Sequence, residues 1–261
     1  MPELADVEGF RRTLERAVGR RIRGVLVNDA GVLRNVSPPA LEKALVGKRL
    51  RPPERHGKWL QARTDGPTIL FHFGMTGGLA VESSPAERHR WDRLILCLDR
   101  GEVRYRDLRK LRGVWLARDE ADERRTMGAL GPDAIGLRRD QLEGILAKRR
   151  ASVKVVLMDQ SAVAGLGNLM TDESLWRARL HPLRRASDLT ASEVAALHRA
   201  IGHVVRKTVA AGLVPSEKGW LTEQRGARDP RCPRCHGNLR TIRVGGRGTV
   251  FCPSCQPAPA P

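Results

Sequence analysis

The spacing of apolar residues changes along the chain, and each change predicts a different kind of element. Over residues 7–18, apolar side chains recur at helical spacing with arginines between them: Phe10, Leu14, Ala17 and Val18. From 21 to 118 the apolar runs become short. "RGVLV" is the first run, "KWLQAR" and "TILFHF" flank "TDGP", "RLILCL" and "EVRYR" flank "DRG", and "GVWLAR" is the last. Because turn residues separate these runs, we expect antiparallel hairpins that form a β-sandwich or barrel.

Helical periodicity follows a Gly- and Pro-containing linker, "MGALGPDAIG", at 127–136. The segments "RDQLEGILAKR" and "SVKVVLMDQ" are predicted helices. The clearest helix follows Thr190, which pairs with Glu193 in a predicted capping box, and it ends at Gly212, where a C-terminal cap belongs. Residues 213–231 have the composition of a loop. Helices therefore dominate the middle of the chain.

These changes predict an α+β chain of several domains. We expect an antiparallel β-sandwich over 1–130, a helical domain over 131–225 and a small cysteine-rich module over 226–261. In that module "LRTIRV", "GGRG" and "TVF" predict a β-hairpin, and the final "PAPAP" predicts a short disordered tail.

Composition indicates a class of partner. The chain has 47 Lys and Arg against 29 Asp and Glu, a formal net charge of +18. Such an excess attracts polyanions, of which nucleic acid is the most common in a cell, although an arginine-rich proteome would give the same excess. No apolar run reaches the roughly 18 residues of a membrane helix, and the acidic start lacks the features of a signal peptide. We therefore expect a cytoplasmic protein that binds nucleic acid and no membrane.

The cysteines predict a metal site. Four of the five lie near the C-terminus, in two C-x2-C pairs separated by sixteen residues: Cys232, Cys235, Cys252 and Cys255. This spacing is typical of one structural Zn²⁺ held by four thiolates, a closed site that takes no part in chemistry. Arg247 lies at the tip of the predicted hairpin. The spacing alone leaves open whether it binds a phosphate or is merely solvated.

The N-terminal "MPEL" raises the possibility of a nucleophile. If Met1 is removed, Pro2 has a free secondary amine, and an α-amino group has a pKa of roughly 8, so part of it is uncharged near neutral pH. Attack by a secondary amine on an aldehyde carbon gives an iminium ion, which favours departure of a leaving group. Glu3 beside it can transfer protons, and a deoxyribose C1′ needs this chemistry. The alternative is ordinary, because proline is common after an initiator methionine and Glu3 could simply begin a helix.

Six ordered segments make the chain resemble the formamidopyrimidine-DNA glycosylase/endonuclease VIII family of bifunctional DNA repair enzymes. They are "PELADVE", "GKWL", "HFGMTG", "DLRKLRG", "LMDQSAVAGLGNLMTDE" and "GRGTVFCPSCQ", and they extend from residue 2 to residue 256. The resemblance implies base-excision repair: removal of an oxidised or otherwise damaged base and cleavage of the strand by β,δ-elimination. It implies a helix–two-turns–helix motif in the helical domain and a zinc finger after it.

The resemblance also implies catalytic residues. Pro2 would attack C1′ and displace the base through a Schiff base, and Glu3 would transfer protons. Lys58, in "GKWL", would act near the phosphate of the lesion and in strand cleavage. Arg247, in the zinc finger, would bind the flanking phosphates and assist the final elimination.

Further residues are implied to contact DNA. A damaged nucleotide must leave the duplex before its sugar can be reached, and inserted side chains fill the gap. By resemblance these are Met75, Arg109 and Leu111. His89 matches a histidine that contacts DNA, and Lys154 and Asn168 would lie near the DNA backbone, with Gly165 and Gly167 permitting close approach.

Departures from the family pattern leave the preferred base open. Leu108 and Leu111 replace a proline and a phenylalanine, and 213–231 is shorter than the loop that covers an oxidised purine in many members. Oxidised pyrimidines, ring-opened purines and abasic sites all remain candidates besides 8-oxoguanine. We expect a bacterial, nucleoid-associated monomer that binds double-stranded DNA with damaged bases or abasic sites and needs no cofactor beyond zinc.

Two other functions are considered. One is a catalytically lapsed relative that only binds damaged DNA, whose signature would be loss of Pro2, Glu3 or Lys58. The other is a zinc-ribbon transcription factor, which accounts for the cysteines and the charge but not for "PELADVE" or "GLGNLM".

Overall fold

The computed structural model describes residues 2–83 and 87–258. The removal of Met1 and the disorder predicted for residues 259–261 concern residues outside that part. The chain divides into two compact units. Unit 1 comprises Met1–Pro2 and Asp6–Ala129, and unit 2 comprises Glu3–Ala5 and Leu130–Pro261.

Unit 1 contains the predicted antiparallel sandwich. Its strands are β1 (Ile22–Val27), β2 (Glu54–His56), β3 (Trp59–Ala62), β4 (Thr68–His72), β5 (Gly78–Glu82), β6 (Asp92–Leu98), β7 (Glu102–Arg106) and β8 (Gly113–Ala117). They form two four-stranded sheets, in the orders β1-β6-β7-β5 and β2-β3-β4-β8. One apolar cluster takes side chains from both sheets, among them Val25, Leu96, Phe71 and Val114. Two sheets that share one core make a sandwich.

Three helices accompany these strands: α1 (Leu4–Glu15), α2 (Pro38–Leu45) and α3 (Glu120–Met127). Helix α1 confirms the helix predicted at the N-terminus, although it begins and ends three residues earlier. The pattern of 21–118 missed α2, because its two prolines look like breakers, yet proline is tolerated in the first turn of a helix. No helix is predicted at α3, which follows that range, because "EADERRTM" has almost no apolar residues to show a period.

Unit 2 contains five helices, α4 (Arg139–Ala147), α5 (Val153–Met158), α6 (Asn168–Arg177), α7 (Ala191–Ala211) and α8 (Leu221–Gln224). The capping box of α7 is confirmed, because Thr190 and Glu193 exchange side-chain-to-backbone hydrogen bonds, and Gly212 ends the helix with φ 70°. The prediction that 213–231 is entirely loop is corrected by α8. Its four residues are too few to show a period, but Leu221 is buried there.

The C-terminal part of unit 2 is the predicted hairpin, β9 (Arg240–Val244) and β10 (Arg247–Phe251). Gly245 and Gly246 form its two-residue turn, both with positive φ, which side chains disfavour. A small core lies beneath the hairpin: Trp176, Leu221, Cys232, Leu239, Val250 and Cys252. No helix of the described residues is both long enough and apolar enough to cross a bilayer.

Candidate functional site

Glu3 is the most tightly held candidate residue. Its side chain is fully buried, and its carboxylate accepts hydrogen bonds from the backbone N–H groups of Gly167 at 3.0 Å, Leu169 at 2.7 Å and Met170 at 3.1 Å. These groups lie at the start of α6, where N–H groups have no partner within the helix. The positive end of the helix dipole also stabilises a negative charge. Glu3 is thus fixed in position as the cap of α6.

The glycines of "GLGN" make room for this arrangement. A Cβ on Gly167 would lie 2.2 Å from Cδ of Glu3, and one on Gly165 would lie 2.4 Å from Cδ1 of Leu4. The backbone N–H of Leu4 also donates to the carbonyl of Gly165 at 3.1 Å. The close approach expected at these glycines therefore exists, but its partner is the chain's own N-terminal segment.

Pro2 is partly exposed and is joined to Glu3 by a peptide bond. Glu3 restrains that peptide because its own side chain is fixed at α6. The sequence "PE" therefore places the proline two residues before the first buried apolar anchor, Leu4.

Lys154 lies in a buried polar network and not on the surface. Its Nζ donates to Oδ1 of Asp172 at 2.5 Å and to Oγ1 of Thr249 at 2.7 Å, and all three side chains are buried. Arg225 forms a second ion pair with Asp172. The ammonium thus donates to two acceptors inside the protein, and the position of Lys154 near the DNA backbone, which the resemblance implies, stays a prediction.

Burial acts in opposite directions on the two members of the Lys154–Asp172 pair. It lowers the pKa of the Lys154 ammonium, and the charge of Asp172 opposes that shift. It raises the pKa of the Asp172 carboxyl, and the charges of Lys154 and Arg225 oppose that shift. The opposite charge of the partner therefore favours the charged form of each group, whereas burial disfavours it.

Asn168 binds the backbone of the zinc hairpin, and Arg247 is part of that hairpin. Nδ2 of Asn168 donates to the carbonyl of Gly248 at 3.0 Å. The donor predicted to reach a phosphate is thus occupied within the protein, and the adjacent helix amides are occupied by Glu3. Arg247 begins β10 directly after the turn, opposite Val244, and is exposed.

In unit 1 the structure brings Met75 and Arg109 together. Nη1 of Arg109 donates to Sδ of Met75 at 3.2 Å. Asp107 organises both segments, since its carboxylate accepts from the hydroxyl of Thr76 at 2.6 Å and from the backbone N–H of Arg109 at 3.1 Å. Oδ2 of Asp107 also accepts from the hydroxyl of Tyr105 at 3.1 Å. Sequence reasoning missed Asp107, although it opens the "DLRKLRG" segment.

Large apolar side chains on the same loop face solvent. Leu108 is 48% exposed and Leu111 is 53% exposed, and Lys110 between them has φ 52°. Neither leucine belongs to the apolar core of unit 1. Exposed apolar tips next to an exposed arginine are suited to insertion into an apolar environment such as a stack of bases.

Lys58 lies in a turn of the sheet that contains His72. Lys58 follows Gly57 in the two-residue turn between β2 and β3, and His72 pairs with Trp59, the next residue along β3. Burial lowers the pKa of His72 to about 4, and the positive charges of Arg112 and Lys58 add to that shift. The neutral ring accepts a hydrogen bond at Nδ1 from the N–H of Gly74 at 3.1 Å.

His89 lies in an exposed segment near the start of β6. Its backbone N–H donates to Oδ2 of Asp92 at 2.9 Å, and its Nδ1 accepts from the N–H of Trp91 at 3.2 Å. The segment is thus ordered by local bonds while the ring remains at the surface.

The four cysteines form a closed zinc site. Their sulfur atoms all lie within 4.8 Å of one another, with Cys232 and Cys255 at 3.9 Å and Cys235 and Cys252 at 3.4 Å. Zn–S bonds of about 2.3 Å in a tetrahedron require S–S distances near 3.8 Å, so the geometry fits zinc. Nε1 of Trp176 donates to Sγ of Cys232 at 3.4 Å, as outer partners of zinc thiolates do. The module holds one structural zinc.

Family models match three successive parts of the chain. Residues 1–114 match the formamidopyrimidine-DNA glycosylase N-terminal domain, 130–217 match the H2TH domain of the same glycosylase, and 230–258 match the zinc finger found in FPG and IleRS.

Relatives match over nearly the whole length. A formamidopyrimidine-DNA glycosylase from Pelobacter propionicus is 34% identical and covers 98% of this chain and 100% of the relative. One from Symbiobacterium thermophilum is 38% identical over 99% of this chain and 90% of the relative.

Solved structures of a Lactococcus lactis protein are also similar. Fpg in complex with DNA that contains an abasic site has a TM-score of 0.89 at 28% identity, covering 98% of this chain and 100% of that chain. The same protein in complex with FAPY-dG-containing DNA has a TM-score of 0.87 at 28% identity with the same coverage.

Proposed function

This chain belongs to the formamidopyrimidine-DNA glycosylase family and is a DNA glycosylase of base-excision repair; from that premise we propose that it is also an abasic-site lyase that uses Pro2 as its nucleophile. The observation that carries the proposal is the capping of α6 by Glu3, which fixes the carboxylate of the residue that follows the proline in the chain.

In the proposed reaction the Pro2 nitrogen bonds to C1′ of the damaged nucleotide. The bond from C1′ to the base breaks, and the base leaves with the electron pair and takes up a proton. The C1′–O4′ bond then breaks, O4′ takes a proton, and the nitrogen loses its own proton to give an iminium ion. Glu3 is positioned to supply and remove these protons, because its buried carboxylate cannot turn away from the N-terminal segment.

Strand cleavage follows from the same iminium ion. Loss of a C2′ proton expels the 3′ phosphate, and a second elimination expels the 5′ phosphate. Lys58, partly exposed in a tight turn, and Arg247, exposed on the zinc hairpin, are the proposed partners of these phosphates. Arginine suits this task because its planar fork matches a phosphate.

The proposed substrate is double-stranded DNA that contains a damaged base or an abasic site. Met75, Arg109 and Leu111 would fill the gap left by the extruded nucleotide. The contact between Arg109 and Met75 and the exposure of Arg109 and Leu111 support this role. The surface ring of His89 fits a contact with the DNA backbone. The positive charge of the chain supports the same partner.

The lesion preference is proposed from two departures. Leu111 offers an aliphatic tip that stacks less well on an orphan base than an aromatic ring does. The 213–231 segment is short and contains α8. Both favour ring-opened purines, oxidised pyrimidines or abasic sites over 8-oxoguanine. We also propose that the protein is a monomer in the bacterial cytoplasm. Its three domains would meet after residues 130 and 225.

Trapping with borohydride tests the nucleophile. The protein, with Pro2 exposed as the first residue, is mixed with a duplex that contains one abasic site, and borohydride is added. Reduction of the iminium ion should give a stable protein–DNA adduct. The same protein with one residue added before Pro2 should give none, because the nitrogen becomes an amide.

Equal adduct from both proteins would refute the role of Pro2. Normal affinity for the abasic duplex without any adduct or cleavage would favour the alternative, a relative that binds damaged DNA and has lost catalysis.

A further inference from the structure

Buried side chains hold the strand that contains Arg247. Three backbone groups of residues 247–250 form hydrogen bonds with side chains of unit 2, the unit to which the hairpin belongs. They are the carbonyls of Arg247 and Gly248 and the N–H of Val250. The hydroxyl of Thr249 donates to the carbonyl of Arg247 at 3.2 Å. Oδ2 of Asp172 accepts from the N–H of Val250 at 3.1 Å.

The carbonyl of Gly248, between these two groups, is bound as well. It accepts from Nδ2 of Asn168 at 3.0 Å and from Nη2 of Arg225 at 3.3 Å. Asn168 begins α6 and Arg225 follows α8, so two helices fix one peptide of the hairpin. Three successive peptide units beside Arg247 therefore have side-chain partners, and those of the second and third come from outside the hairpin.

Lys154 connects these contacts into one network. Its Nζ donates to Thr249 and to Asp172. The hydroxyl of Thr249 in turn donates to the carbonyl of Arg247, and the carboxylate of Asp172 accepts from the N–H of Val250. The network therefore has one chain of bonds that ends at the backbone of Arg247 itself. Because Thr249 is fully buried, water cannot replace a missing member.

A two-residue glycine turn cannot supply this order by itself. Gly245 and Gly246 have no Cβ, so no side chain of the turn itself can restrain the residues beside it. A long arginine side chain at such a tip has many conformations, and its backbone must be fixed before it can meet a phosphate at a defined place.

We propose that Thr249, Lys154 and Asp172 are positioning residues that set the direction of Arg247 during strand cleavage. The inference rests on the proposed function of Arg247 as a phosphate ligand. It gives Lys154 a different role from the DNA contact that its sequence position implies, and it assigns roles to Thr249 and Asp172.

The test compares Thr249→Val, which keeps the shape but removes the hydroxyl, with Thr249→Ser, which keeps the hydroxyl. The expected result is a fall of about tenfold or more in the rate of strand cleavage for Thr249→Val, with recovery in Thr249→Ser. Borohydride trapping should be retained in both, because Pro2 is unchanged. Thr241→Val, on the exposed strand β9, is the matched control and should cleave at the normal rate.

A double-mutant cycle separates this inference from its premise. If Thr249 acts through Arg247, Thr249→Val should have no further effect on cleavage in an Arg247→Ala background. Zinc content and the melting curve of each variant show whether the hairpin is folded.

Two results would overturn the inference. If Arg247→Ala slows cleavage but Thr249→Val does not, or if their effects multiply, Thr249 does not position Arg247. If Arg247→Ala cleaves normally, the proposed role of Arg247 fails and the inference fails with it.

Discussion

The two units hold their candidate residues in opposite ways. In unit 1 the apolar sandwich core supports candidates that reach solvent from turns, such as Arg109 and Leu111. In unit 2 Glu3 and Lys154 are fully buried, and their charges are satisfied by helix amides or by opposite charges. Substitution of the two exposed residues should therefore cost activity alone, whereas substitution of the two buried ones should cost both stability and activity.

Loss of zinc should have the largest effect on the folding of unit 2 and on DNA binding. Cys252→Ala removes one of four thiolates and also a member of the small core of the module. Binding of structural zinc contributes on the order of 10 kcal/mol in small modules, so we expect the hairpin to unfold and the affinity for abasic DNA to collapse. The backbone amides of unit 1 should remain protected from hydrogen exchange in this variant. Unchanged DNA affinity in protein shown to be free of zinc would contradict the proposed role of the hairpin.

Gly167→Ala should have the next largest effect. Its Cβ would overlap Glu3 at 2.2 Å, so the carboxylate must leave the start of α6. Overpacking of this kind costs about 3 kcal/mol at its upper range, and cleavage should fall steeply because Glu3 is displaced. Urea unfolding and the cleavage rate measure the two effects.

The matched control for Gly167 is Gly144→Ala. Gly144 lies inside α4, and a Cβ there would meet no atom within 4 Å. That variant should be more stable by about 0.5–1 kcal/mol, since alanine is the better helix former. Equal effects of the two substitutions would show that Glu3 does not need Gly167.

The pH dependence of unit 1 should depend on His72. Its folded pKa of about 4 lies below the ordinary 6.5, so the unfolded chain binds the proton more readily between these values. Stability should be fully present above pH 6.5 and decrease as the pH falls towards 4, by about 2 kcal/mol at pH 5. In His72→Gln this part of the pH dependence should disappear. An identical pH profile for the variant would mean that His72 is not the titrating group.

The smallest effect on stability is expected for Arg109→Ala. Arg109 is exposed, so the free energy of unfolding should stay within about 0.5 kcal/mol of the normal value. Cleavage of lesion duplexes should nevertheless slow about tenfold, because the gap beside the extruded nucleotide is less well filled. Arg16→Ala removes the same charge from another exposed position of unit 1 and should leave cleavage unchanged.

The contrast between the units also explains what the sequence could predict. Short apolar runs and turns predicted the sandwich, and the C-x2-C pairs predicted the zinc hairpin, because both patterns are local. The capping box at Thr190 was predicted for the same reason. In contrast, α2 and α3 begin with prolines or lack apolar residues, and their formation depends on the sandwich around them.

The side-chain partners in unit 2 could not be predicted from local patterns. Lys154 and Thr249 are 95 positions apart, and nothing near either residue indicates their contact. The sequence could therefore not show that the lysine pairs with Asp172 and Thr249. Likewise the glycines of "GLGN" predicted a close approach, but not that Glu3, more than 160 positions earlier, is what approaches.

The central claim is a covalent bond between the Pro2 nitrogen and an opened sugar, and peptide mapping of the borohydride-reduced adduct tests it most directly. Mass spectrometry of the digested adduct should find the deoxyribose mass on the N-terminal peptide, with fragment ions that assign it to Pro2. Assignment of that mass to a lysine, or its absence while the N-terminus is free and the strand is cut, would contradict the mechanism.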